Sequence, residues 1–230
     1  MDSGANEVWF VVPAFQEEVS IANSVSEIVQ AGYCVVVIDD GSADRTSQRA
    51  LEAGAIVLRH AANLGQGAAI QTGMTFALRQ RAKVLVTFDA DGQHSLSDAL
   101  AMLHYAQTQQ VDVVFGSRFL RQSDMRQIPK ARRFILKLAT RMAQLTSRPR
   151  LTDSHCGLRI ISRSAAQVVH INHNRMAHAS EIPIKVARAG LRYAEFPVSV
   201  RYTEYSKIKG QRNSGAFLIL WDLATGGIRK

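Results

Sequence analysis

Short apolar runs, each closed by an acidic or glycine-bearing cluster, recur through the first half of the chain. Residues 7–15 (EVWFVVPAF) predict a first strand ended by Pro13, after which Gln16, Glu17 and Glu18 lead into a helical pattern over 19–31. Residues 35–38 predict a second strand that stops at Asp39, Asp40, Gly41 and Ser42. A helix over 44–53, a third strand over 56–58 and a glycine-started helix over 65–79 follow. Residues 84–88 (VLVTF) predict a fourth strand whose apolar run stops at Asp89, Asp91, Gln93 and His94, and residues 111–115 predict another. Short strands alternating with helical patterns of about 10 to 15 residues give an α/β domain, a mostly parallel sheet covered by helices. In such sheets ligands bind beyond the carboxyl ends of the strands. Each acidic or glycine-rich cluster falls at such an end, so the loops are expected to form one nucleotide site; a string of unrelated helix caps is the plainer alternative.

The stretch after the fourth strand carries the sharpest chemistry. Residues two apart in an extended segment project to one side, so Asp89 and Asp91 can share a divalent ion with a diphosphate. Their hard oxygens suit Mg²⁺ or Mn²⁺. A solvated turn whose aspartates cap the next helix would use the same residues. Glu17 or Asp39 can accept hydrogen bonds from ribose hydroxyls or base N–H groups, while Asp40 and Ser42 suit a supporting turn. Asn63, Leu64, Gly65, Gln66 and Gly67 resemble a phosphate-contacting loop at a helix N-terminus, without the Lys-Ser/Thr pair of a P-loop; a helix cap explains them equally.

Composition narrows the class. At 230 residues and 47% hydrophobic, the chain suits one sizeable core, hence one domain over 1–230 with two functional halves. No apolar run approaches the roughly 20 residues of a membrane helix, and the first residues lack a basic segment followed by an apolar one, so a cytoplasmic protein is expected. Cys34 and Cys156 follow no ligand spacing and read as plain thiols; His155, His170, His173 and His178 form no zinc array. The net charge of +9 is unevenly placed. Residues 1–117 hold six Lys/Arg against 13 Asp/Glu, residues 118–150 ten against one, and residues 151–230 twelve against five. The basic back half suits a phosphorylated substrate, an anionic lipid headgroup or nucleic acid, or is simply a solvated surface. No recognisable nucleic-acid motif accompanies it, and the acidic front opposes that partner.

VVPAFQEE, VIDDGSADRT, NLGQGAAIQTGM and FDADGQH, in this order and at these separations, resemble family 2 of the nucleotide-sugar glycosyltransferases. The likeness is greatest to the branch of dolichol-phosphate mannosyltransferase and related polyprenyl-phosphate sugar transferases. It implies a GT-A fold, a nucleotide-diphospho-sugar donor of UDP or GDP type, a divalent metal (Mn²⁺ or Mg²⁺) and inversion at the anomeric carbon. By motif position it implies donor contacts from Pro13, Phe15, Glu17, Asp39, Asp40, Gly65, Gly67, Asp89, Ala90, Asp91 and Gln93, with Asp89, Asp91 and Gln93 around the metal. Residues 7–117 would form the donor half and 118–210 the acceptor half.

In the resembled branch, a Gly-Ser-Arg like Gly116, Ser117 and Arg118 and the arginines beyond it handle the phosphate of a lipid-linked acceptor. Arg118, Arg132, Arg133, Arg201 and Lys207 are the matching candidates here. Guanidinium groups bind phosphate bidentately on independent grounds, and the interleaved Phe134, Ile135, Leu136 and Leu138 suit either an anionic membrane surface or the core. Residues 151–162 (LTDSHCGLRIIS) resemble the family's Asp, small residue, Gly, aromatic, Arg segment, with Leu158 in place of the aromatic. Asp153 would face the acceptor or pair with Arg159 in a buried turn.

Glu181 is expected to begin a helix ending near Gly190, and residues 195–197 to open the next extended segment. A sugar-hydroxyl acceptor needs a carboxylate base, a role open to Glu181 beside Asp91 as the other catalytic candidate; a phosphate acceptor is already anionic and needs none. A carboxylate at a helix start, favoured by the dipole, is the structural alternative for Glu181. Residues 201–210 (RYTEYSKIKG) lack the branch's glycine before Ser206 and Lys207. Residues 211–230 are expected to hold an apolar helix, too short for a bilayer, that docks on a membrane, a partner or the core. The expected reaction is sugar transfer to a polyprenyl phosphate at the cytoplasmic face of a membrane, with a membrane-protein partner open and a glycan hydroxyl as alternative acceptor. Nucleotidyl transfer would need a basic glycine-rich N-terminal loop where VVPAFQEE is acidic.

Overall fold

The computed structural model describes residues 7–120 and 151–200. Its strands are β1 (Val8–Ala14), β2 (Cys34–Asp39), β3 (Ile56–Arg59), β4 (Val84–Thr87), β5 (Val113–Ser117), β6 (Arg159–Ser162) and β7 (Tyr193–Pro197). Its helices are α1 (Ile21–Gln30), α2 (Thr46–Glu52), α3 (Gln66–Arg79), α4 (Leu96–Gln109), α5 (Arg163–Val168) and α6 (His178–Arg188). The strands form one sheet in the order β3-β2-β1-β4-β6-β5-β7. All neighbours are parallel except β6, which runs antiparallel to both β4 and β5.

Helices cover both faces, which is why the sequence of β1, VWFVVPA, is apolar throughout rather than alternating and is buried at every position. Phe10, Val12 and Ala14 join one core with Ile21, Val25 and Ile28 of α1 and Ala99 and Met102 of α4. Trp9 and Val11 join the opposite core with Ala69, Ile70 and Met74 of α3, Ala165 of α5 and Ile182 of α6. On α1 the spacing of Ile21, Val25 and Ile28 is the one-sided stripe that a surface helix presents to a sheet. Register sets the site end. Ala14 pairs with Asp39 and Val11 with Thr87, so the loops after β1, β2 and β4 emerge at one edge of the sheet.

The strands expected in the first half all form, and so does the expected mostly parallel sheet. The second half departs from its pattern at several points. The apolar residues of β6 span two positions after an arginine, too few to signal a strand, yet insertion between β4 and β5 buries Ile160 and Ile161 on opposite faces. The α6 helix starts one turn before Glu181, and residues 195–197 close β7 instead of opening an extended segment. The α4 and α5 helices were not marked by the pattern. Arg132, Arg133, Arg201, Lys207 and the expected helix over 211–230 lie outside the described residues. No helix among the described residues is long and apolar enough to cross a membrane.

Helix α3 lies tight on the sheet at Gly73. A Cβ there would fall 2.4 Å from Val11 Cγ1 and 2.5 Å from Ile38 Cδ1. Gly73→Ala should therefore destabilise the protein by about 1 to 3 kcal/mol through overpacking, despite roughly 1 kcal/mol of gained helix propensity, as read from the urea unfolding midpoint.

Candidate active site

The sheet changes direction of growth at β1, with β2 and β3 on one side and β4 on the other. Open α/β sheets take ligands in the crevice at such a point, here between the carboxyl ends of β1 and β4. After β1 the chain turns sharply at Gln16, whose φ is 54°. Its N–H donates to Ser42 Oγ at 2.9 Å, and the Glu17 N–H donates to Thr46 Oγ1 at 2.8 Å. The turn holds Glu17 buried near Asp91, close enough for its charge to raise the Asp91 pKa. Pro13 is buried within β1, while Phe15 keeps 38% of its surface exposed.

The two aspartates after β2 divide their work. Asp39, fully buried, accepts from the Ser42 N–H at 2.9 Å and from the Ser47 hydroxyl, with Arg59 Nε 3.7 Å from Oδ2. Asp40 clamps the next loop: Oδ1 accepts from the Leu64 N–H at 2.9 Å and lies 2.7 Å from His60 Nδ1, and Oδ2 accepts from the Gly65 N–H at 2.7 Å. The carboxylate of Asp40 thus faces the loop it shapes.

Asp89 sits where several elements meet. Its Oδ1 accepts from Gln66 Nε2 at the start of α3 at 3.0 Å, and its Oδ2 lies 2.9 Å from His94 Nε2. A Cβ on residue 157 would fall 2.1 Å from Oδ2, so the backbone of Gly157 lies directly against the carboxylate. Burial pushes the Asp89 carboxyl up, but the hydrogen bond and charge of His94, with the charge of Arg159 beyond, outweigh it and hold the group below its ordinary value. Asp91 moves the other way. Burial first, then the charges of Asp89 and Glu17, push its carboxyl up to about 6 against the lowering influence of the Gln93 N–H, 3.0 Å from Oδ1, and of His94. The buried Ala90 between them offers its carbonyl to the Ser24 hydroxyl at 3.3 Å.

Two carboxylates that repel across a short distance are relieved by a divalent cation. Among the described residues no cluster of three or more His, Cys, Asp or Glu forms a closed metal cage. Ions of the Mg²⁺ type need none, because they bind through one or two carboxylates and complete their shell with water and substrate phosphates. The donor set of Asp89, Asp91 and Gln93 fits such an ion.

The N-terminus of α3 meets backbone from the second half of the chain. The N–H groups of Gly67 and Ala68 both donate to the Asn174 carbonyl, at 2.7 and 3.2 Å. A Cβ at Gly65 would lie 2.4 Å from that carbonyl oxygen, and one at Gly67 would lie 2.0 Å from the His173 oxygen. Both glycines therefore admit a close strand of backbone, and the cap reading describes these N–H groups.

Glu181 grips the other side of the same strand. Its carboxylate accepts from the N–H groups of Asn172 and His173, each at 2.9 Å, from Lys185 Nζ at 2.7 Å, and lies 3.0 Å from His173 Nδ1. Burial pushes its carboxyl up, and Lys185 with the other donors outweighs this and lowers the pKa. A carboxylate satisfied in this way is a weak base. His178 donates from Nδ1 to the Arg175 carbonyl at 2.7 Å, since that oxygen can only accept. Burial and then the Arg159 charge bring its pKa down to about 4, so its ring is neutral.

On the other side of the crevice, Arg118 follows β5 and holds Asp153 with both arms, Nε to Oδ2 at 2.6 Å and Nη2 to Oδ1 at 2.8 Å. The partner of Asp153 is Arg118 and not Arg159. Burial raises the Asp153 carboxyl, but the Arg118 charge and the hydrogen bonds from Arg118 and His155 outweigh it and leave the pKa below the ordinary value. Glu195 of β7 anchors the same turn by accepting from the N–H groups of Thr152 and Asp153 at 2.8 and 3.1 Å. Gln66, His94 and Gly157 each stood within a quoted motif, but without a role toward Asp89, and only the fold brings them to it.

A mostly parallel sheet with paired carboxylates at its switch point matches the GT-A arrangement that the sequence resemblance implied. A crystal structure of glucosyl-3-phosphoglycerate synthase from Mycobacterium tuberculosis, in complex with Mn²⁺, UDP and glucosyl-3-phosphoglycerate, shares the fold with a TM-score of 0.63 at 17% identity, over 97% of this chain and 81% of that one. Residues 9–169 match the model of glycosyl transferase family 2, and the chain belongs to that family. It is 36% identical over 224 residues to an uncharacterized protein of Methanocaldococcus jannaschii, covering 95% of this chain and 91% of the relative. It is 29% identical to a UDP-N-acetylglucosamine–dolichyl-phosphate N-acetylglucosaminyltransferase of Methanococcus voltae, over 94% of each chain.

Removing one member of the buried Arg118–Asp153 pair strands the other. Asp153→Asn should destabilise the protein by roughly 3 to 5 kcal/mol in chemical denaturation at neutral pH. The pKa of Asp153 is depressed in the folded state, so its contribution is full above the unfolded value of about 3.9 and fades as pH falls through the folded value. The stabilities of wild type and variant should accordingly converge in acid.

Proposed function

We propose that this protein transfers a sugar from a nucleotide-diphospho-sugar of UDP or GDP type to a polyprenyl phosphate, with inversion at the anomeric carbon. The observation that carries the acceptor half is the state of Glu181. The carboxylate placed by sequence to serve as a base is saturated by backbone N–H groups and Lys185, and its pKa is lowered. A hydroxyl acceptor must lose a proton, whereas a phosphate oxygen attacks as the anion it already is. The M. voltae relative, whose name specifies dolichyl phosphate, supports the same acceptor class.

The donor half rests on the crevice between β1 and β4. Glu17 and Asp39 are assigned to the nucleoside, with Pro13 and Phe15 beside them and Asp40 and Gly65 shaping the cradle rather than touching the ligand. Asp89, Asp91 and Gln93 would hold a divalent ion, Mn²⁺ or Mg²⁺, whose chemistry there is charge stabilisation on the departing diphosphate. His94 and Gln66 fix the orientation of Asp89. The acceptor phosphate oxygen forms a bond to the anomeric carbon as the bond to the diphosphate oxygen breaks, and the electron pair leaves with the diphosphate. No proton moves. Action on a lipid-linked acceptor places the protein peripherally at a membrane surface.

Asp89→Asn and Asp91→Asn should each lower transfer to a short polyprenyl phosphate by roughly 10²-fold or more, corresponding to several kcal/mol of lost charge stabilisation, with thermal unfolding unchanged or raised in Asp91→Asn and lowered in Asp89→Asn, in keeping with their opposite pKa shifts. Calorimetric titration of UDP and GDP, each with and without Mn²⁺, should show one metal-dependent binder in wild type and loss of the metal effect in either variant. A fully active double variant would remove the metal role. Transfer to a glycan hydroxyl, with none to polyprenyl phosphate, would overturn the acceptor assignment.

A further inference from the structure

Two arginines flank the acceptor side of the crevice, and their hydrogen-bonding states are opposite. Arg118 is held by both oxygens of Asp153. Arg159 is 1% exposed and makes one long hydrogen bond, Nη2 to the Ser154 carbonyl at 3.4 Å. Its Nε and Nη1 have no hydrogen-bond partner among the described residues. Buried charged donors are costly to leave unmade, far more so than a neutral group such as the similarly unpartnered Trp9 Nε1, and a native structure that keeps them calls for an explanation.

Position supplies the explanation. Arg159 opens β6 and pairs with Thr87 on one side and Phe115 on the other. Thr87 leads into Asp89, and Phe115 leads into Arg118, so Arg159 stands at the seam between the donor carboxylates and the acceptor-side ion pair. The turn over this seam is tied at both flanks: the Gly157 carbonyl accepts from Thr87 Oγ1 at 2.6 Å and the Leu158 carbonyl from the Gly116 N–H at 3.0 Å. The backbone is thus fixed, and the enclosed guanidinium keeps donors unused beside the charges of Asp89 and Asp153. A guanidinium with unused donors offers two parallel N–H groups to a phosphate.

We propose that Arg159 is an acceptor-binding residue, whose free N–H groups receive phosphoryl oxygens of the polyprenyl phosphate and aim the attacking oxygen toward the donor held at Asp89 and Asp91. The assignment rests on the acceptor class given above. It adds to the acceptor side the arginine that the sequence offered as a partner for Asp153. The same phosphoryl chemistry could come from the donor diphosphate, and the two sources are separable by experiment.

The test compares the full-length wild type with Arg159→Met and Arg159→Lys. Binding of a short-chain polyprenyl monophosphate and of UDP with Mn²⁺ is measured by calorimetry, alongside KM for acceptor and donor and thermal unfolding without ligand. Arg159→Met should weaken polyprenyl phosphate binding and raise acceptor KM by tenfold or more. Its UDP affinity and donor KM should stay within twofold of wild type, and its unfolding temperature should stay near that of wild type, because the buried guanidinium it removes makes one long hydrogen bond. Arg159→Lys should recover part of the acceptor affinity. Weakened UDP binding with intact acceptor binding would assign Arg159 to the donor and overturn the proposal. Intact binding of both ligands with lowered stability would show a structural role and overturn it as well. Wild-type protein that transfers no sugar to polyprenyl phosphate would overturn the functional reading and this assignment together, whereas wild-type transfer fully retained in Arg159→Met would overturn this assignment alone.

Discussion

The position of the Asp89 carboxylate governs the site. Gln66 reaches it from the start of α3, His94 from the turn before α4, and the Gly157 backbone from the turn before β6. These contacts come from three separate stretches of sequence and converge because β4 is central in the sheet, with β1 on one side and β6 on the other. Asp89 is held ionised by donors and positive charges, and its fixed negative charge contributes to the raised pKa of Asp91. The protein thus stores unfavourable electrostatics at one spot. Such concentration is tolerated where a ligand of opposite charge repays it, and perturbed carboxyls in a crevice mark functional sites for that reason.

A second constraint links the two halves of the chain. The helix α3 that presents Gln66 is capped by a carbonyl from residue 174, and the strand carrying that carbonyl is held from behind by Glu181 on α6. Replacing either glycine of the loop would drive a methyl group into this backbone. Glu181 therefore acts on the donor side through a relay of backbone contacts: it fixes residues 172 and 173, these set the start of α3, and α3 aims Gln66. The acidic residue at a helix start does benefit from the dipole, but its larger service is to satisfy two loop N–H groups that have no strand or helix to bond to.

Legibility in the sequence followed the physics of each element. The parallel strands were readable because burial on both faces makes them continuous apolar runs, as in β1 and β2, and the acidic clusters at their ends were readable because the runs stop abruptly. The β6 strand was hidden. Its four residues begin with an arginine, and its place in the sheet is decided by the gap between β4 and β5 and not by its own pattern. Asp89 and Asp91 were visible as a pair, yet their opposite pKa shifts depend on His94, Arg159 and Glu17, whose approach is tertiary. The glycines at 65 and 67 show the limit of motif reading most clearly. A glycine-rich helix start has the same sequence whether it cradles a phosphate or admits a carbonyl, since both demand a missing Cβ.

The uneven charge of the chain takes on meaning once the fold places it. The acidic front supplies the carboxylates around the crevice between β1 and β4, where a dication and a diphosphate would compensate one another. Arg118, the first residue of the strongly basic stretch of the sequence, follows the end of β5, across β6 from that crevice. An anionic acceptor arriving between these two regions is drawn toward the cations and kept from the bare carboxylates, which orders its approach relative to the donor. Asp153 sharpens this gradient. By holding Arg118 in a buried bidentate pair, it fixes the wall of the crevice, so the unused guanidinium N–H groups at the seam are those of Arg159.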